Sequence, residues 1–117
     1  MDIIVIKTKI DQQILKDLTQ HWFRTFVKFV ADIRTAEMAV GGELHSDAEQ
    51  LLLVRGSKQP DLWGGNFFPG KSAESQIEYT SLINIRPHDN NIVWKLKMMS
   101  FENLVKLYLE HDEDGLA

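Results

Sequence analysis

The sequence predicts an α+β domain, with helices packed on a mainly antiparallel sheet in the order strand, helix, strand, helix, strand, hairpin, helix. Three observations carry that expectation. Leu15, Leu18, Trp22 and Phe26 recur at helical spacing early in the chain. Two runs near residues 77–86 and 92–98 alternate apolar and polar residues with period two, on either side of Pro87-His88-Asp89-Asn90. Glycine and proline cut the middle of the chain into short segments. The chain has 117 residues, 44% of them hydrophobic, which suits one domain with a substantial core.

Residues 3–6 are apolar and β-branched and read as a first strand. Asp11 follows as a helix cap, with Ile10 placed to pack on Leu15 as a hydrophobic staple. The helical spacing runs on through Phe29 and Ile33, so the first helix is expected over residues 12–30. Phe23, Val27 and Val30 widen its apolar face, which suits either a central core helix or an oligomer contact. Residues 34–40 hold a strand that Gly41-Gly42 interrupt. Ser46 and Glu49 have capping-box spacing, and Gly56 stands where a helix C-terminal glycine belongs, so a short helix is expected over 47–55. A strand through 51–54 is the alternative. A strand at 62–68 follows, then a turn at 69–72. Residues 77–86 and 92–98 form the hairpin, and Ser100 caps a last helix over 101–111. The single domain spans 1–111, and the acidic tail, 112–117, frays.

Composition limits the function. No cysteine is present, which removes disulfides, thiolate metal sites and cysteine nucleophiles and suits a cytoplasmic setting. The N-terminus does not read as a signal peptide, and no apolar stretch reaches the roughly 20 residues that span a bilayer. A net charge of −4 argues against nucleic acid as a partner, since phosphate-backbone binding needs a basic face.

Three groups of residues could carry chemistry. His45, Asp47 and Glu49 offer nitrogen and oxygen ligands for a divalent metal such as zinc or manganese. The same carboxylates suit the first turn of a helix, where the dipole favours them. Asn84 and Arg86 share a strand face, and the arginine fork fits a carboxylate or phosphate. An internal ion pair of Arg86 with Glu78, Asp61 or Asp47 is the other reading. Trp63 with Gly64, Gly65 and Asn66 could wall a pocket, or the ring could fill the space the glycines leave.

Residues 42–49 (Gly-Glu-Leu-His-Ser-Asp-Ala-Glu), residues 56–64 (Gly-Ser-Lys-Gln-Pro-Asp-Leu-Trp-Gly) and Ile83-Asn84-Ile85-Arg86-Pro87 together resemble a family of short uncharacterised prokaryotic proteins, a domain of unknown function. The resemblance covers about residues 10–92. It implies no activity, but it implies that His45, Asp47, Glu49, Asp61, Trp63, Asn66, Asn84 and Arg86 form one motif set around a cleft. Two functions are therefore expected to compete. One is a small cytoplasmic binding or regulatory module, homo-oligomeric, whose polar cleft takes a small anionic ligand or a protein partner. It needs no cofactor, with Asp61, Trp63, Asn66, Asn84 and Arg86 as ligand-binding residues. The other is a metal-dependent hydrolase in which His45, Asp47 and Glu49 hold the ion or activate its water.

Overall fold

The computed structural model describes residues 1–79 and 92–111, and shows three helices on a five-stranded antiparallel sheet, an α+β fold. The strands are β1 (Ile4–Ile6), β2 (Val27–Asp32), β3 (Met38–Val40), β4 (Leu62–Phe67) and β5 (Ile77–Tyr79). They lie in the order β1-β3-β2-β4-β5, and every neighbouring pair is antiparallel. The helices are α1 (Gln12–Trp22), α2 (His45–Val54) and α3 (Ile92–Leu109).

Alternation along the strands assigns the helices to faces. Val27, Phe29 and Ala31 of β2, with Trp63 and Phe67 of β4, share one buried cluster with Leu15 and Leu18 of α1 and Phe101 and Val105 of α3. Val30, Ala39 and Leu62 face the other way and pack with Ala48 and Leu52 of α2. The result is three layers, with α1 and α3 on one side of the sheet and α2 on the other. Among the described residues, no helix is long and apolar enough to cross a membrane.

The long first helix expected over 12–30 divides. Asp11 caps α1 as expected, its Oδ2 accepting from the amides of Gln13 at 3.1 Å and Ile14 at 3.2 Å. Ile10 and Leu15 are both buried in the same cluster. After Trp22 the chain turns through Arg24, a non-glycine residue at φ +71°, and Val27–Asp32 becomes the central strand. Val27, Phe29 and Ala31 are apolar on one face of β2 and Val30 stands between Lys28 and Asp32 on the other, so the run fits either period. Its β-branched and aromatic content suits the strand.

The expected strand at 92–98 is helical instead. Trp94, Met98, Phe101, Val105 and Tyr108 step by four, three, four and three residues, a continuous helical stripe packed in the core. Ser100 therefore lies exposed inside α3 and caps nothing. The expected hairpin is not formed with 92–98, and β2 supplies the fifth strand. The rest of the strand expected over 77–86, with the turn at 87–90 and the tail 112–117, lies outside the described residues.

Helix α2 begins at His45, with Leu44 at the N-cap and no side chain capping it. The expected capping box is absent, because Ser46 is already within the first turn. Its C-terminus is as expected. Gly56 at φ +107° lets its own amide reach the Leu53 carbonyl and the Ser57 amide reach the Leu52 carbonyl, each at 3.0 Å, a Schellman closure.

Candidate functional site

One row of polar residues crosses the sheet on the α2 face. Lys28 of β2 pairs with Asn66 of β4, which pairs with Glu78 of β5. The adjacent row, Val30 with Gly64, lies on the face that α2 covers, so the polar row borders the helix. Lys28 Nζ donates to the Glu43 carbonyl at 2.7 Å and lies 4.8 Å from the centre of the Phe23 ring. Asn66 Nδ2 donates to Glu78 Oε1 at 2.8 Å. Asn66 Oδ1 is buried with no hydrogen bond of ordinary length among the described residues.

His45, the first residue of α2, joins this row. Its half-buried ring lies 2.9 Å through Nε2 from the Gly65 carbonyl oxygen. A carbonyl only accepts, so Nε2 carries the proton. Burial holds the imidazole below its usual pKa and Lys28 pushes it the same way, against the opposing pull of the Gly65 carbonyl and Asn66. The neutral ring leaves Nδ1 as an acceptor. Gly65 is required here for packing. A Cβ at that position would come within 2.8 Å of the Glu78 carbonyl oxygen and 3.0 Å of the Phe29 ring. The arrangement can therefore accept a hydrogen bond at His45 Nδ1, beside the Asn66 amide, one cation, Lys28, and one carboxylate, Glu78.

The remaining expected site residues occupy other surroundings. Two helical steps turn about 200°, so Asp47 points away from His45. Asp47 is exposed and borders a hollow of about 600 Å³ with Ile3 and Trp22. Glu49 Oε2 accepts from Gln59 Nε2 at 3.3 Å. Among the described residues, no three His, Asp or Glu side chains are grouped to hold a metal ion, so His45, Asp47 and Glu49 do not form a ligand set there. Asp61 pairs with Arg34 at 3.3 Å. Trp63 is 3% exposed and packs on Phe101 with ring centres 5.6 Å apart, so it fills the core. Asn84 and Arg86 lie outside the described residues. Of the expected set, the structure brings His45 and Asn66 together.

Sequence reasoning passed over Lys28 as a site residue and Asp32 altogether. Asp32 is fully buried at the end of β2. It accepts from Ser57 Oγ at 2.6 Å, the Arg34 amide at 2.8 Å and the Thr35 amide at 3.0 Å. Burial raises its pKa, yet the Ser57 hydroxyl and the two amides outweigh burial and hold it below the usual value. The signal was present: an aspartate two and three residues before backbone amides in a turn is an Asx pattern. The cluster also contains Glu37 with Arg55 at 2.8 Å. Tyr108 Oη donates to the Ala36 carbonyl at 3.0 Å. Part of the polar run 56–66 is thus spent on joining α2, β2 and the β2–β3 turn.

Neither a curated protein nor a solved structure matches the chain. Residues 4–110 match the model of a family described as a protein of unknown function, DUF5674, and the chain belongs to that family.

Proposed function

We propose that this domain is a small binding or regulatory module whose site is the polar shelf where α2 begins beside β4. The observation that carries the reading is the His45–Gly65 contact, which fastens residues 43–49 onto 62–66 and leaves His45 Nδ1 as an acceptor beside Asn66 and Lys28. The ligand that fits is a small anion bearing an N–H or O–H group. Lys28 and the uncapped first turn of α2 attract its charge, and His45 Nδ1 takes its donor. In this reading Arg86 supplies a further fork for the anion and Asn84 orients it. The cysteine-free composition supports a cytoplasmic setting.

The same reading includes self-association. Ile92, Val93, Leu96 and Met99 are exposed on the outward side of α3, and that helix is apolar on both sides. Such a helix is normally covered.

Thermal melts of the chain with a panel of small carboxylates, phosphates and amino acids test the binding reading. A ligand at about a hundred times its Kd adds about 2.7 kcal/mol. At this size that raises Tm by on the order of 10 °C. The shift is expected to vanish in Asn66→Ala and in His45→Ala. A ligand that stabilises both variants as well as the parent would place binding elsewhere.

A further inference from the structure

A groove runs between α1 and the Phe68–Ser72 turn, and its lining includes none of Lys28, His45, Gly65, Asn66 and Glu78. It has two joined parts, one of about 840 Å³ toward the end of α1 and one of about 450 Å³ toward the end of α3. Lys16, Pro69, Gly70 and Lys71 border both.

Gln76 lines the smaller part. It is 8% exposed, and its Oε1 is buried with no hydrogen-bond partner among the described residues. A buried amide oxygen without a donor is unfavourable, and turning the amide over would bury an unpaired N–H instead. Leu15 and Phe67 stand beside it as apolar walls. The rim is cationic. Lys16, Arg24 and Lys71 outnumber Asp17 and Glu110, in a chain of net charge −4. Asp17 is engaged by Gln13 Nε2 at 2.9 Å, and Lys71 lies 4.3 Å from the centre of the Phe68 ring. The ion pairs among the described residues are Arg34–Asp61 and Arg55–Glu37, so none of those residues' carboxylates lies at bridging distance from Lys16 or Arg24. Arg24 is held on this rim by a left-handed backbone, its amide donating to the Thr19 carbonyl at 2.7 Å.

We propose that this groove is a second ligand site, for a small carboxylate with an apolar body and a hydrogen-bond donor at its far end. The carboxylate sits at the Lys16–Lys71 rim, the body lies against Leu15 and Phe67, and the donor reaches Gln76 Oε1. The site is separate from the His45 shelf and does not depend on it.

The test is a titration of the ¹⁵N-labelled chain with para-hydroxyphenylacetate, followed in amide spectra. Phenylacetate lacks the donor and para-hydroxybenzyl alcohol lacks the charge. The first probe is expected to shift the Gln76 side-chain amide and the Gly70 and Lys71 backbone amides. Each of the other two is expected to bind about tenfold more weakly, the scale of one lost hydrogen bond or ion contact. Gln76→Leu, with Gln76→Met as a second variant should the first perturb folding, is expected to reduce para-hydroxyphenylacetate to the affinity of phenylacetate. His45→Ala is expected to change nothing here. Equal affinity for the three probes, no shift at these amides at millimolar probe, or unchanged binding in the Gln76 variant would overturn the proposal and leave Gln76 to water alone.

Discussion

Asp32 shows how much one buried carboxylate can organise. It is fully enclosed, so its charge persists only because a hydroxyl and two amides surround it. Asp32→Ala should cost about 3 kcal/mol by orphaning those donors, measurable by urea unfolding. The folded carboxyl titrates below its reference value of 3.8, so the folded state takes up its proton less readily than the unfolded chain. Its charge-dependent contribution is therefore present above that pH and is lost as pH falls through the lowered folded value. The stability gap between parent and variant should narrow below pH 3.8. At this scale the sequence was partly legible. Asp11 announced its cap through the apolar residues around it. Trp63 beside two glycines left core and pocket both open, and only the packing on Phe101 decides for the core.

Elements were legible where one period dominated and obscure where two fitted. The strands at 4–6 and 62–67 and the end of α2 follow from local chemistry alone. β2 was hidden because Phe26, Phe29 and Ile33 continue the helical spacing of Leu15, Leu18 and Trp22, which masked the alternation that Lys28 and Asp32 mark. The start of α3 was hidden because Ile92, Trp94, Leu96 and Met98 alternate by chance, with apolar residues on both sides of the helix. α2 offers the cleanest test of element-scale chemistry. Gly56 has φ +107° and no atom within 4 Å of a Cβ built there, so the cost of Gly56→Ala is backbone strain alone. It should be about 1 kcal/mol. A thermal melt checks this, and no change would mean that the left-handed residue is not needed to end the helix.

Across the molecule, the α2 face of the sheet is the thinner layer, and the polar row Lys28–Asn66–Glu78 emerges where α2 begins. Part of that site was readable, since His45 and Asn66 stood in segments conspicuous for their polarity. Lys28 and Glu78 were not, because only strand register brings them level with Asn66. The opposite layer ends in α3, whose outward apolar residues carry the self-association proposal. Leu96→Lys with Met99→Lys should keep the far-ultraviolet circular dichroism of the parent, lower Tm, and reduce the sedimentation coefficient to that of one chain. A parent that sediments as a single chain at high concentration would end that proposal.

Everything assigned to the polar shelf rests on His45 lying against Gly65 as a neutral ring. The ¹⁵N shifts of its imidazole, followed from acid to neutral pH, report that state. Because the folded pKa is depressed, the stability His45 contributes is full above 6.5 and is lost as pH falls through the lower folded value. The ring should titrate below 6.5 and carry its proton on Nε2 when neutral. A pKa at or above 6.5, or a neutral ring protonated on Nδ1, would detach His45 from β4 and dissolve the site.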